Sequence, residues 1–162
     1  MGNFRVFIGR KKEYCAESQA LLKELNSVLS LNLTDIFLAD IYDIFNVTTT
    51  QFNIIKDNVL SSPVTDNVYE TIDLSVAHIA YEYLPGTYDM KADVISMSAK
   101  LLIDNEDLII KTGKLILFKD DTDLVKIKKY LLNPLDKKEK DLTSPLEIND
   151  DTGIKSLSDY KG

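Results

Sequence analysis

The order of predicted elements repeats once along the chain, and this repeat limits the fold more than any other feature. At an offset of 72 residues, matching positions carry residues of the same type: Phe45 and Leu117, Phe52 and Leu124, Ile55 and Ile127. A single β-α-β-α unit leaves one face of its sheet uncovered and cannot bury that face alone. Two units can bury it by pairing as the subunits of a two-fold dimer do. We therefore expect an α+β fold in which two β-α-β-α halves form a pseudo-dimer, with the sheet covered by helices.

Hydrophobic patterning places the elements of the first half. Alternating and apolar runs predict strands over residues 4–8 and 36–47. Between them, a stripe of spacing four, three and four predicts a helix; it contains Leu21, Leu22, Leu25, Val28 and Leu29. The hydroxyls of residues 48–50 suit the start of a short helix, and Pro63 ends it because the residue before proline avoids the α region.

The second half follows the same order. Strands are predicted over residues 76–83 and 108–118, the latter interrupted by Gly113, with a helix between them. The aspartates at positions 120, 121 and 123 favour the start of a last helix, which Asn133 and Pro134 end. The predicted boundaries are residues 1–72 for the first repeat and 73–137 for the second. Residues 138–162 are turn-rich and are expected to be an irregular linker toward a further domain.

Composition and charge exclude several classes of protein. A content of 44% hydrophobic and 28% charged residues is typical of folded globular chains. The net charge of −7, with lysines interleaved among acids, argues against nucleic-acid and anionic-membrane partners. Cys15 is the only cysteine, so no internal disulfide forms, and we expect a cytoplasmic protein.

Few residues have the chemistry of a catalytic or metal site. Cys15 and His78 are the only thiol and imidazole, and nothing in their surroundings suggests a nucleophile with an oriented base. Asp120, Asp121 and Asp123 could be read as a metal cluster, but helix capping explains them without a metal. Gly113 lies inside a strand and lacks the glycines of a phosphate loop. We expect neither a catalytic nor a metal site.

The loop between the third predicted strand and its helix is the one candidate contact site. Gly86 permits a tight turn after Pro85, and the polar residues that follow project near the start of a helix. The candidate residues are Pro85, Gly86, Tyr88, Asp89, Lys91 and Asp93. A simpler interpretation is a strand-to-helix connection that Asp89 caps.

This loop also carries a family resemblance. Residues 82–93, Glu-Tyr-Leu-Pro-Gly-Thr-Tyr-Asp-Met-Lys-Ala-Asp, resemble the Glu-Tyr-Leu-Pro-Gly-Gln-Tyr-Asp-Gln-Arg-Ala-Asp-Ser signature of the large single-chain phosphoribosylformylglycinamidine synthases of clostridia and relatives. Residues 4–8 with 17–22, and residues 126–136, are similar to that family's opening strand and helix and to its Ile-Asn-Pro-Val-Asp element. The resemblance spans nearly the whole chain. Thr87, Met90, Lys91 and Val94 depart from the signature.

The resemblance implies a role in purine biosynthesis. The matching region of that family looks like two fused copies of the small PurS subunit, and it carries no catalyst of its own. It would hold the synthetase and glutaminase domains together and shape the ammonia path. ATP and Mg would bind the parent enzyme downstream of this chain, which itself would need no cofactor.

Two other functions stay open at this point. The chain can be a free-standing ferredoxin-like module that binds a small ligand or a protein between its halves. An independent enzyme is a third alternative, and it would have to use Cys15 or His78. The isolated chain could form a homodimer, and stable homo-oligomers would favour the binding module.

Overall fold

The fold is an α+β arrangement of one antiparallel sheet and four α-helices. The computed structural model describes residues 2–12, 15–83, 90–120, 122–132, 137–140 and 142. The strands are β1 (Gly2–Arg10), β2 (Ile36–Val47), β3 (Asp66–Tyr69), β4 (His78–Tyr83), β5 (Ile109–Phe118) and β6 (Lys137–Glu139). The helices are α1 (Ala16–Val28), α2 (Thr49–Ile55), α3 (Met90–Leu102) and α4 (Leu124–Leu131), and α2 continues into a π-helical segment, Lys56–Leu60.

The two longest strands lie side by side at the centre of the sheet. The strand order is β3-β1-β2-β5-β4-β6, and every neighbouring pair is antiparallel. β2 and β5 are paired from Ile36↔Phe118 to Phe45↔Ile109. Ile41 pairs with Gly113 within this ladder. These two positions are 72 residues apart, which is the offset at which the two halves of the sequence align.

All four helices pack on one face of the sheet. Successive side chains of a strand point to opposite faces, so Ile36, Tyr42 and Ile44 of β2 share this face. Apolar cluster 1 lies at one end of the central strands and consists of Val6, Ile8, Tyr42, Ile44, Val47, Phe52, Ile55, Leu60, Ala99, Ile103, Leu108 and Ile110. Apolar cluster 2 lies at the other end and consists of Leu25, Leu33, Ile36, Ile79, Ile116, Phe118 and Ile127.

Each of these clusters combines residues from both halves of the chain. In cluster 2, Leu25 of α1 packs with Ile127 of α4 and Ile79 of β4. In cluster 1, Phe52 of α2 packs with Ala99 of α3. The helices of each half therefore bury apolar residues in clusters that both halves share.

The opposite face carries no helix within the described residues. Its buried residues form apolar cluster 3: Phe7, Ala39, Ile41, Ala80 and Leu115. Tyr69, Ile72, Leu74 and Leu142 pack against this cluster from segments outside the helices. We call this side the helix-free face.

The sequence signals for the starts of α2 and α4 are confirmed. Thr48 accepts a hydrogen bond from the backbone N–H of Gln51, whose side chain in turn accepts one from the backbone N–H of Thr48. This capping box satisfies two N–H groups that the helix leaves without a partner. Asp123 caps α4 by accepting from the N–H of Lys126 at 3.1 Å. The helix start predicted from residues 120–123 is confirmed at Asp123.

The structure also contains two strands that the sequence analysis did not predict. β3 was not predicted, because four residues of mixed polarity have too short a pattern to identify; it adds to the edge of β1. β6 crosses the predicted boundary at residue 137 and pairs with β4, so the sheet extends into the segment predicted to be a linker. Residues 143–162 lie outside the described residues.

None of the described helices combines the length and the hydrophobicity that crossing a bilayer requires.

The backbone of β4 passes close to Gly113 of β5. A Cβ atom added there would lie 2.7 Å from the carbonyl oxygen of Tyr81, closer than real contacts allow. Glycine at this position lets β4 approach β5 without a shift of the backbone.

We expect Gly113→Ala to lower the free energy of unfolding by about 1–3 kcal/mol, because the added methyl group must displace β4. Urea denaturation followed by circular dichroism measures the change. Gly2→Ala is the matched control, since its added Cβ would meet only ordinary contacts at 3.7 Å. Equal stability of both variants would show that β4 shifts at no cost.

We expect Ile55→Ala and Ile127→Ala each to cost about 2–5 kcal/mol, because both side chains are fully buried at matching positions of clusters 1 and 2. Since both clusters are shared between the halves, each variant is expected to unfold in one transition. Thermal denaturation monitored by calorimetry gives the result. Two separated transitions, only one of them shifted, would mean that the halves unfold independently.

Candidate functional site

Four charged side chains meet on the helix-covered face, between apolar clusters 1 and 2. Asp40 of β2 and Lys114 of β5 are direct partners in the central ladder, and Nζ of Lys114 lies 3.0 Å from Oδ1 of Asp40. Lys91 brings a second ammonium to 3.0 Å from the same oxygen. Glu17 lies 3.0 Å from Nζ of Lys114. We call Glu17, Asp40, Lys91 and Lys114 the charge cluster.

The two long helices both begin at the charge cluster. Glu17 is in the first turn of α1, and Lys91 is the second residue of α3. A carboxylate in the first turn interacts favourably with the positive end of the helix dipole, as Glu17 does in α1 and Asp93 does in α3. The ion pairs of Glu17 with Lys114 and of Lys91 with Asp40 therefore connect the starts of α1 and α3 to the two central strands.

Ion pairing changes the pKa values of Asp40 and Lys114 more than burial does. Burial alone would raise the pKa of Asp40, but the charges and hydrogen bonds of Lys114 and Lys91 hold it below its ordinary value of 3.8. Burial alone would lower the pKa of Lys114, yet Asp40 and Glu17 raise it above its ordinary value. The charge cluster thus pairs two acids with two bases.

Tyr42 lies next to the charge cluster on β2. Its ring is 5.3 Å from Nζ of Lys91, within the range of a cation–π interaction. Burial and the nearby charge of Asp40 both raise the pKa of Tyr42, so its hydroxyl stays protonated at physiological pH. It can donate or accept a hydrogen bond, but it supplies no phenolate nucleophile.

A cleft of about 440 Å³ opens beside the charge cluster, where β1 and β2 diverge. The last pair between these strands is Gly9↔Ala39. Beyond it, Arg10 pairs with Asp66 of β3, while residues 36–38 of β2 continue to pair only with β5. The start of α1 lines the cleft between the two diverging segments.

The lining of the cleft is mixed in charge. It includes the bases Arg10, Lys12 and Lys114 and the acids Glu17, Asp35 and Asp40. Phe37 and Tyr69 also line it, and their rings meet edge to face with centroids 5.7 Å apart. Such a cleft favours a partner that carries both charges and an apolar part over a polyanion.

The structure describes two of the six candidate residues from the sequence. Lys91 belongs to the charge cluster, and Asp93 is exposed in the first turn of α3. Pro85, Gly86, Tyr88 and Asp89 lie outside the described residues. The candidate loop therefore leads directly into the charge cluster through Lys91.

Cys15 and His78 make local hydrogen bonds. The thiol of Cys15 donates to the carbonyl of Lys12 at 2.9 Å, and Cys15 lines the cleft. Nδ1 of His78 lies 2.9 Å from the carbonyl oxygen of Val76. Neither contact gives the thiol a base, so these contacts provide no support for an enzyme built on this pair.

Asp120 and Asp123, which precede α4, accept hydrogen bonds from backbone N–H groups. Asp120 accepts hydrogen bonds from the backbone N–H of Thr34 at 2.7 Å and from its hydroxyl, and these bonds lower the pKa of Asp120. Asp123 is the helix cap, and Asp121 lies outside the described residues. Among the described residues, no three His, Cys, Asp or Glu are grouped so as to hold a metal ion.

Three members of the charge cluster were missed by sequence reasoning. Asp40 and Lys114 each occupy a position on the helix-covered face where the alternation of the strand predicts an apolar residue, and this break in the pattern was the available signal. Glu17 had no comparable signal. Its contact with Lys114 joins residues 97 positions apart in the chain.

Comparisons of the chain with protein-family models, curated proteins and solved structures found no match. The function must therefore be inferred from the residues and their geometry.

We expect Asp40→Asn to lower the free energy of unfolding by about 1–3 kcal/mol, because both Lys91 and Lys114 lose their shared carboxylate. Urea denaturation at neutral pH measures the loss. Asp104→Asn, at an exposed position after α3, is the control and should change stability little. A loss of the same size in both variants would assign the effect to net charge.

The stability due to Asp40 should disappear in acid. Its folded-state pKa lies below the ordinary value of 3.8, so the contribution is complete above that value and is lost as the pH falls through the folded-state pKa. The difference in unfolding free energy between wild type and Asp40→Asn should therefore shrink as the pH falls below about 4. A constant difference over this range would contradict the assignment.

Proposed function

We propose that this chain is a noncatalytic assembly domain of a larger phosphoribosylformylglycinamidine synthase, the ATP- and glutamine-dependent amidoligase of purine biosynthesis. In this proposal the chain acts in the cytoplasm and keeps the synthetase and glutaminase domains of its parent protein in place along the ammonia path. ATP and Mg bind the downstream domains, and the chain carries no catalytic residue.

The observation that carries the proposal is the position of the loop that resembles the family. This stretch, residues 82–93, begins in β4, which ends at Tyr83, and ends in α3, which begins at Met90; Lys91 of α3 belongs to the charge cluster. Lys91, the position where the family signature has arginine, makes an ion pair with Asp40 and lies over Tyr42. The most family-like segment is therefore joined to the most polar part of the helix-covered face.

The strand order supports the proposed pseudo-dimer of two PurS-like, ferredoxin-like halves. Each half supplies a strand, a long helix, a long strand and a short helix in the same order. The long strands of the two halves, β2 and β5, meet antiparallel with Ile41 opposite Gly113. A local two-fold axis through this pair would relate residues 72 positions apart, which is the offset of the sequence repeat.

Lysine in place of arginine at residue 91 has a physical consequence. An ammonium is a point charge, whereas a guanidinium binds a carboxylate through two parallel hydrogen bonds. Lys91 can satisfy Asp40 and keep contact with the Tyr42 ring, but it offers less directional binding to a second partner. In this proposal Lys91 positions the loop, and other loop residues contact the parent enzyme.

The first experiment is to read the natural gene beyond Gly162 and to co-express this chain with the polypeptide that follows. We expect a synthetase domain downstream, and glutamine-dependent amidine formation that requires residues 1–162. A reading frame without a synthetase domain would refute the proposal. Equal activity with and without the chain would refute the assembly role.

Within that assay, Lys91→Met is expected to reduce amidine formation by about tenfold or more at limiting chain concentration, as a loss of about 1.4 kcal/mol in docking free energy would. Lys100→Met is the matched control, because Lys100 is exposed in the last turn of the same helix. Lys91→Arg should retain activity, since it keeps the charge opposite Asp40. Equal loss in Lys91→Met and Lys100→Met would contradict a specific role for Lys91.

The cleft of about 440 Å³ supports one alternative, a free-standing module that binds a small ligand. A zwitterionic compound with an apolar side chain would suit its mixed lining. A stop codon after Gly162, together with a rise in melting temperature on adding an amino acid at high concentration, would favour this alternative. No rise for any of the aromatic or aliphatic amino acids would count against it.

A further inference from the structure

A lysine from the segment predicted to be a linker is buried on the helix-free face. Lys140 follows β6, and its backbone N–H donates to the carbonyl of Ala80 at 2.8 Å. Its side chain is 9% exposed. Burying an ammonium costs several kcal/mol unless its charge is paired, so its partners must account for this position.

Those partners come from two strands that are not neighbours. Nζ of Lys140 lies 2.8 Å from Asp43 of β2 and 2.6 Å from Glu82 of β4, and β5 runs between these strands. Asp43 is 2% exposed and also accepts two hydrogen bonds from the guanidinium of Arg5 on β1, at 2.7 and 3.1 Å. The result is an alternating network of two bases and two acids, Arg5, Asp43, Lys140 and Glu82.

Gly113 provides the space that this lysine occupies. A Cβ at Gly113 would lie 3.5 Å from Cδ of Lys140, so the aliphatic part of the lysine rests on the bare backbone of β5. At the paired position of β2, the side chain of Ile41 fills the corresponding space. At this pair of positions β2 carries isoleucine and β5 carries glycine, and the lysine side chain crosses β5 at the glycine.

Leu142 adds an apolar contact on the helix-free face. It packs against apolar cluster 3, whose buried members include Phe7, Ile41 and Leu115. Residues 140 and 142 thus cover an apolar part of the sheet that no described helix covers, and Lys140 attaches them through charges.

We propose that Lys140 and Leu142 form a strap over part of the helix-free face, with Lys140 as its anchor. Loss of the anchor releases the strap from β2 and β4 and exposes apolar cluster 3, while the central β2–β5 ladder stays folded. The inference does not rest on the proposed function, because it uses neither the six candidate residues nor the charge cluster; Glu82, the first residue of the family-like stretch, enters only as an ion-pair partner of Lys140.

Hydrogen–deuterium exchange of the full 162-residue chain tests the strap. In Lys140→Met, the peptide covering residues 137–142 should exchange about tenfold faster or more, while the peptide covering β5 exchanges as in wild type. Binding of an apolar fluorescent dye should increase in the same variant, because cluster 3 becomes accessible. Lys128→Met is the control, since it removes the more exposed ion pair of Lys128 with Glu139 and leaves the anchor intact.

Leu142→Ser provides a second test that leaves the buried charges balanced. It should speed exchange of residues 137–142 without changing the exchange of β5. The proposal is overturned if neither Lys140→Met nor Leu142→Ser speeds exchange of the strap. It is also overturned if strap and β5 accelerate together in Leu142→Ser, which would make Leu142 an ordinary core residue. If Lys140→Met destabilises the whole chain, Leu142→Ser alone decides the outcome.

Discussion

The pairing of β2 with β5 is the constraint on which the rest of the structure depends. It joins the two halves of the chain over ten residue pairs, from Ile36↔Phe118 to Phe45↔Ile109. Through it, apolar cluster 1 at one end and apolar cluster 2 at the other receive strands from both halves. Neither half forms a complete core alone, because apolar clusters 1 and 2 each combine buried residues of both halves.

Charges near the centre of this ladder make its register specific. On the helix-covered face, Asp40 lies opposite Lys114; on the helix-free face, Asp43 and Glu82 meet Lys140. A slip of one residue would turn every side chain of a strand to the other face, burying these charges without partners and exposing the apolar residues. Unpaired buried charges cost several kcal/mol each, so apolar and charged positions favour the same register.

The candidate site shows how far the sequence alone could lead. The family-like loop supplied one member of the charge cluster, Lys91. It did not identify Asp40, Glu17 or Lys114, which complete the cluster from α1 and the two central strands. Charged residues inside apolar strand patterns indicated something unusual at Asp40 and Lys114, but their partners depend on which strands are neighbours.

Local features were determined by the sequence itself. The bounds of β2, the capping of α2 by Thr48 and of α4 by Asp123, and the order of strands and helices all follow from interactions within a few residues. The tertiary structure alone decided the strand order, the sharing of clusters between halves, the addition of β3 and β6 to the sheet, and the burial of Lys140. Short segments have too few residues for a recognisable pattern, and their positions depend on partners far away in the chain. For Lys140, both the carboxylates that neutralise it and the glycine that makes room for it come from other strands.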